Sequence, residues 1–447
     1  MDSSATFFHE ATVKDGASPL TGRHGLGAQS PLFRRAHTEE NLAGLLREIQ
    51  TTADLPLERG RTFPASAYTS TEFLEWEVEH VLGAGWICLA HLSQIPSPGD
   101  FINLDALGEP LIVVHGKDGQ VRVLSRVCPH RAMDIMPPGF GYDGHGPADL
   151  RGGAPGCGHT RIFLCPYHHW SFELDGSLKG CPEMQKAEGF CRDQTGLKTF
   201  RCEVWNGFIF LNLSGDATPV SAQFDELHRD IQGWDPAGLK VVIAKEWDCP
   251  FNWKVLVENF MEGYHHLGAH CKTLQLLMPA KNIRTTAERP HSMRVNLPFK
   301  DSVAGDPDVD FPAIPTLPPD QLRQMAVYLG YPSFLLFTGP DRLFWYRIDP
   351  VSPDRSRLLT TCLVNDSALA DPRFGPKLET AEKMLVDFHL EDMEVCTAVQ
   401  RGLHTRGYQR GRLSHLEMPV WLFQRYLAAR ARGTHPTLDR PAAPAQQ

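Results

Sequence analysis

The chain has 447 residues, 42% hydrophobic and 22% charged, with a formal net charge of −9. That length can bury large cores and allows two domains, and the composition is that of an ordinary globular protein. The negative balance argues against nucleic acid or an anionic membrane as partner, and no apolar run approaches the length of a membrane span.

The N-terminal text MDSSATFFHEATVKDG lacks the basic-then-apolar order of a secretory leader. Eleven cysteines, an odd number scattered through the chain, do not resemble a disulfide framework. A cytoplasmic, reducing compartment is the expectation, with some thiols free to bind metal.

Residues 1–60 read as an N-terminal extension. Asp15 to Phe33 is rich in Gly, Ser and Pro and reads as loop. Glu39 to Thr51 predicts a helix with Leu42, Leu45, Leu46 and Ile49 on one stripe. Its expected role is packing across a subunit surface. Thr69 to Leu82 predicts a second helix, capped by Ser70 or Thr71, with Glu72 and Glu75 in its first turns.

From Trp86 the pattern turns to strands: Trp86 to Ala90, Asp100 to Leu104, Pro110 to His115, Val121 to Val127, Arg161 to Cys165, Ser171 to Leu174 and Gly207 to Leu213. Turn signals at Pro98-Gly99, Gly108, Asp118-Gly119 and Asp175-Gly176 punctuate them. An all-β domain over residues 61–215 follows. Inside it stand Cys128-Pro129-His130 and, 34 residues later, Cys165-Pro166-Tyr167-His168. Two Cys and two His on two short loops can hold zinc, or a [2Fe–2S] cluster in which two histidines ligate one iron. Between the loops, Gly141 to His159 is an insertion rich in Gly and Pro. It contains a second C-x-H, Cys157-Gly158-His159, which five residues separate from Cys165. That spacing argues against it as the first loop. A further metal at Cys157, His159 and His145 is the minor reading, and a loop that docks a neighbouring subunit or partner is the main one.

Residues 216–447 read as an α+β domain. Leu239 to Asp248 predicts a strand, followed by the stretch NWKVLVENFMEGYHHLGAH at Asn252 to His270. Two His and one carboxylate with open positions form the facial triad of non-haem iron oxygenases. On an undistorted helix His266 and His270 share a face, whereas His265 and His270 diverge by roughly 140°. Geometry alone therefore leaves His266/His270, or His265/His270 if Gly263 and Gly268 let the helix bend. Cys271 to Pro319 reads as irregular, Gln321 to Tyr328 as a short helix, and Tyr331 to Phe337, Leu343 to Ile348 and Arg357 to Leu363 as antiparallel strands. Glu379 to Arg401 and Glu417 to Ala429 read as helices. Phe251, Phe260, Phe334, Phe337, Phe344 and Trp345 are among the candidates for a pocket wall.

CPHRAMDI with CPYHHWSFELDGSL resembles the cluster motif of the Rieske non-haem iron ring-hydroxylating oxygenases, large α subunit. NWKVLVENFMEGYHHLGAH resembles that family's mononuclear iron helix, and EDMEVCTAVQRGL at Glu391 to Leu403 resembles its carboxylate-bearing segment. The resemblance spans roughly Phe63 to Ala428. Glu262 stands where aromatic dioxygenases usually carry Asp, which is nearer the choline-monooxygenase-like and demethylase branch.

The resemblance implies a fold and a ligand set. The fold is α+β: an N-terminal all-β Rieske domain, then a catalytic domain with a helix-grip-like antiparallel sheet. Cys128, His130, Cys165 and His168 would hold the [2Fe–2S] cluster. His265, His270 and Asp392 would hold Fe(II), with Glu391 as the alternative to Asp392 and His266 beside the site. Glu262 would link His168 to His265 across a subunit boundary in a homotrimer. The implied reaction is hydroxylation, dihydroxylation or demethylation of a small aromatic or quaternary-ammonium-like substrate with O2. No Rossmann or flavin signature is seen, so electrons would come from NAD(P)H through a separate reductase, with or without a ferredoxin. The competing readings are a Rieske-type electron carrier without oxygenase chemistry and a zinc-binding structural protein.

Overall fold

The computed structural model describes residues 42–136, 157–303 and 310–434. The N-terminal half carries strands β1 (Ile87–His91), β2 (Asp100–Ala106), β3 (Glu109–His115), β4 (Val121–Ser125), β5 (Cys157–His159), β6 (Phe163–Leu164), β7 (Ser171–Phe172), β8 (Leu178–Gly180), β9 (Thr199–Trp205) and β10 (Phe208–Asn212). Contacts divide the chain into two compact units. One is built from residues 97–104 and 110–199, the other from 37–96, 105–109 and 200 onward.

The first unit is all-β. Its strands run β4-β3-β2-β5 in one sheet and β6-β7-β8 in a smaller one. Ile112, Val114 and Leu124, alternate residues of β3 and β4, turn inward onto Phe101, Phe163, Phe172 and Leu178. Cys128 and Cys165 border that same core. The expected turn at Asp175-Gly176 joins β7 to β8. Gly176 adopts φ +90°, and the Asp175 carboxylate accepts the Ser177 N–H at 2.9 Å.

The second unit is organised on a seven-stranded antiparallel sheet. Its strands are β11 (Lys240–Cys249), β12 (Arg284–Thr285), β13 (Ser292–Pro298), β14 (Gln324–Gly330), β15 (Phe334–Thr338), β16 (Leu343–Ser352) and β17 (Arg355–Val364). The order is β11-β17-β16-β15-β14-β13-β12. Period-two alternation sorts its side chains onto two faces. Tyr328, Phe334, Leu336, Trp345 and Leu363 point to one face and pack with Phe208 and Phe210 of β10 and with Phe224. Phe334 and Trp345 therefore belong to structural core, not to a pocket wall. The register pairs Phe337 with Phe344, Tyr346 with Thr360, and Trp247 with Leu358 on the opposite face.

A 30-residue helix, Phe374–Leu403, crosses that opposite face. Its buried positions Lys377, Ala381, Leu385, His389, Met393, Cys396, Gln400 and Leu403 follow one another at intervals of three or four, a single stripe. The stripe meets β11: the Trp247 and His389 rings lie 4.3 Å apart, and Cys249 Sγ lies 3.6 Å from Met393 Sδ.

Three expectations are corrected. Gln321 to Tyr328 is not a helix: a 3-10 turn ends at Arg323, and β14 follows, paired on both edges. Cross-strand pairing outweighs the mixed local propensity of Gln-Met-Ala-Val-Tyr-Leu. The irregular Cys271 to Pro319 segment contains β13. The N-terminal helix, Leu42–Ala53, packs within its own chain on the closing helix, Met418–Ala431. Leu45 and Ile49 are buried there, Trp421 Nε1 donates to the Leu55 carbonyl at 2.8 Å, and Arg410 pairs with Glu48 at 2.7 Å. Residues 141–156 of the insertion lie outside the described residues. No helix among the described residues is long and apolar enough to cross a membrane.

Candidate metal centres

Cys128 and Cys165 open two turns of the same shape. Each cysteine N–H donates to the carbonyl five residues on, Met133 at 2.8 Å and Trp170 at 2.7 Å. Each cysteine carbonyl accepts the N–H four residues on, from Ala132 at 3.0 Å and His169 at 3.1 Å. Ala132 and His169 both take left-handed backbone, φ 57° and 59°. Such a conformation costs a residue with a Cβ about 1–3 kcal/mol and persists where the surroundings impose it.

The two turns bring their donors together in pairs. The Cys128 and Cys165 thiols act on each other, which pushes Cys128 up and draws Cys165 down to about 6, helped by the Tyr167 and His168 N–H groups. The thiolate is the form that binds metal. The His130 and His168 rings lie 4.7 Å apart. His130 stacks on Trp170 at 4.7 Å, and Tyr167 lies 3.7 Å from His168. A single zinc would gather all four donors into one tetrahedron. Yet among the described residues three or more donors approach within 4.8 Å only at His265, His270 and Asp392. Two sulfurs beside each other and two imidazoles beside each other fit a two-iron cluster with histidines on one iron. Cys157 and His159 do something else. They form β5 against β2, and His159 Nδ1 sits 2.8 Å from Asp100 Oδ1. His145 lies outside the described residues.

The second centre begins at the helix Trp253–Met261. Its N-cap, Asn252, accepts the Lys254 N–H at 3.1 Å and donates to the carbonyls of Tyr68 and Pro353. The helix stops at Glu262, which is extended (φ −109°, ψ 155°). A 3-10 turn, Tyr264–Leu267, follows. Glu262 caps that turn: its carboxylate accepts the N–H of Tyr264 and, at 3.2 Å, that of His265. The break reaims His265 so that it joins His270, which an unbroken helix forbids. A Cβ at Gly263 would come within 1.9 Å of Ile283 Cδ1, so any larger residue there needs the Ile283 side chain to move.

His265, His270 and Asp392 converge. Asp392 Oδ1 lies 3.0 Å from His270 Nε2 and 3.6 Å from His265 Nε2. Each imidazole presents its outer nitrogen to a second carboxylate: His265 Nδ1 to Glu262 Oε1 at 2.8 Å, His270 Nδ1 to Glu391 Oε2 at 2.6 Å. Burial alone would lower the His270 pKa, but the bonds to Asp392 and Glu391 raise it. Burial would raise Asp392, yet His270 holds it low. His266 is turned away; its Nδ1 pairs with the Met278 carbonyl at 3.0 Å, and burial draws it down to about 4. Two imidazole nitrogens and one carboxylate oxygen are a donor set suited to Fe(II). The sequence reading set Glu391 against Asp392 as alternatives; the structure brings both to His270, on opposite ring nitrogens. Nothing local in the sequence distinguishes the two positions.

Known proteins share this architecture. Residues 85–201 match the Rieske [2Fe-2S] domain, and residues 236–433 match the ring hydroxylating alpha subunit (catalytic domain). The carnitine monooxygenase oxygenase subunit of Acinetobacter pittii is 28% identical over 360 residues, 79% of this chain and 88% of that protein. The chloroplastic choline monooxygenase of Arabidopsis thaliana is 26% identical over 383 residues, 83% of this chain and 82% of that protein. The solved structure of a quaternary ammonium Rieske monooxygenase, CntA, superposes with a TM-score of 0.72 at 24% identity, covering 86% of this chain and 98% of that one. With both domain types present in family order, this chain belongs to the Rieske non-haem iron ring-hydroxylating oxygenases, α-subunit family, enzymes that carry a Rieske [2Fe–2S] cluster and a mononuclear iron and act with O2.

Proposed function

We propose that this chain is the oxygenase component of a system that oxidises a small quaternary-ammonium compound, with electrons supplied from NAD(P)H by a separate reductase. The observation that carries the reading is the convergence of His265 Nε2, His270 Nε2 and Asp392 Oδ1 within 4.8 Å. These three would hold Fe(II). Cys128 and Cys165 would hold one iron of the Rieske cluster, and His130 and His168 the other. When bound, the cluster supplies single electrons and the mononuclear iron supplies O2 activation.

The chain's own groups do the positioning. Glu262 accepts from His265 Nδ1 and fixes the ring's tautomer and aim. In a homotrimer with the Rieske domain of one copy facing the catalytic domain of the next, the same carboxylate would accept from His168 of the partner subunit and couple the two centres. The relatives named for carnitine, choline and glycine betaine support the substrate class. So do the rings beside the triad. Phe260 lies 5.2 Å from Tyr346, and Tyr346 lies 6.2 Å from His389, one turn before Asp392. Aromatic faces attract quaternary cations by about 0.5–2 kcal/mol each.

The test is turnover with a surrogate reductase, offering carnitine, choline, glycine betaine and naphthalene in parallel. Oxygen uptake and product mass are read. Oxidised naphthalene with all three ammonium compounds untouched would overturn the substrate reading.

A further inference from the structure

His270 and His265 are wired differently on their outer sides. The Glu262 carboxylate at His265 also caps the turn Tyr264–Leu267. The Glu391 carboxylate at His270 has no capping duty. Its Oε2 takes the His270 Nδ1 contact at 2.6 Å and the Thr273 hydroxyl at 2.7 Å. Glu391 and Asp392 are consecutive on the helix Phe374–Leu403, yet they reach opposite nitrogens of one fully buried imidazole. The His270 ring, which follows the 3-10 turn, lies between the two carboxylates. Thr273 lies three residues further on, in the same chain reversal.

Resting on the iron reading of His265, His270 and Asp392, we infer that Glu391, held by Thr273, is a positioning residue for iron retention. It locks His270 into the tautomer whose Nε2 lone pair faces the metal. A carboxylate on the outer nitrogen of a ligating histidine also raises the ring's basicity, and losing it typically costs about 10–100-fold in metal affinity. Glu262 takes the corresponding place on His265, where its other oxygen also caps the turn Tyr264–Leu267. Glu391 is not itself a ligand, because its contacting oxygen lies on the far side of the His270 ring from Asp392 Oδ1.

The experiment uses the full chain with its Rieske cluster intact and the mononuclear site stripped, titrated with Co(II) as probe. Affinity and the intensity of the ligand-field bands, which reports coordination number, are both read, and thermal stability is recorded alongside. Glu391→Gln should weaken Co(II) about 10–100-fold with an unchanged band shape. Thr273→Val should weaken it by a smaller factor, and the double variant should add little to Glu391→Gln alone. Glu391→Asp should recover part of the loss. Three results would overturn the inference: unchanged Co(II) affinity in Glu391→Gln, a changed band shape that makes Glu391 a ligand, or lowered stability with no change in affinity. Asp392→Ala is the control. If it too retains Co(II), the iron reading itself fails; if it loses Co(II) while Glu391→Gln does not, only the positioning role fails.

Discussion

Lys254→Met is expected to be among the most damaging substitutions in the helix that leads to the iron-site turn. Lys254 Nζ lies 2.7 Å from Glu77 Oε2, and both side chains are 0% exposed. The ammonium also sits 5.3 Å from the ring centroids of Tyr68, Phe73 and Trp253. Burial lowers the Lys254 pKa and raises that of Glu77, and each partner opposes the other's shift. Glu77 has one other donor, Trp253 Nε1 at 3.2 Å, and its Oε1 has no partner. Removing the ammonium therefore leaves a buried carboxylate on a single N–H, a loss of about 3–5 kcal/mol. Glu77→Gln is different. It leaves the cation over three rings, worth about 2 kcal/mol when desolvated, with an amide oxygen as acceptor. Its expected cost is about 1–3 kcal/mol. Lys254→Met with Glu77→Leu removes both charges and should recover most of the single-variant loss, since apolar replacement of a buried pair is often neutral. The assay is denaturant unfolding followed by tryptophan fluorescence, with refolding yield as the check on reversibility. Equal costs for Lys254→Met and Glu77→Gln, or a double variant worse than Lys254→Met alone, would refute the argument.

Cys165→Ala should abolish the visible and reduced-state paramagnetic signals of the Rieske cluster, and Cys157→Ala should preserve them because Cys157 belongs to β5; the reverse pattern would reassign the ligands. Glu262→Gln keeps the side chain's size and removes its charge, so iron content and Rieske spectrum should persist while electron transfer from a pre-reduced cluster slows in single turnover; iron loss in this variant, with retention in Asp392→Ala, would make Glu262 the ligand. His91 is buried between Ser93 and the Pro236 carbonyl, and burial holds its pKa at about 4. The unfolded chain protonates it near about 6.5, so this contribution to stability is present above that pH and is lost as pH falls toward about 4, by up to about 1.4 kcal/mol per pH unit. His91→Gln should flatten the pH dependence of unfolding across that window, and an unchanged slope would show that His91 titrates normally in the fold.

Strand alternation, the Cys-Pro turns and the Asp175-Gly176 hairpin were readable because each is decided within a few residues. The long helix was readable for the same reason, its buried stripe repeating every three or four residues from Lys377 to Leu403. Gln324 to Gly330 was misread because its local propensity is mixed, and pairing with β15 across a short turn and with the more distant β13 made it a strand. Phe334 and Trp345 illustrate a second limit. Hydrophobicity says that a strand residue is buried, but only the register says on which face, and both turn toward Phe208 and away from the metal side.

For the candidate site, the sequence by itself determined the donor types. Two Cys and two His sit on paired turns, and two His with nearby carboxylates lie at the end of a buried helix. Which histidines converge was beyond helical periodicity, because periodicity assumes the helix continues. In the tertiary structure it breaks at Glu262, whose backbone is extended and whose carboxylate caps the 3-10 turn that follows. The tertiary structure also decided between neighbours that the sequence cannot separate. Glu391 and Asp392 point about 100° apart on their helix, and only the position of His270 between them assigns one to each ring nitrogen. Local chemistry is written along the chain; the convergence of groups more than 100 residues apart depends on which faces the fold presses together.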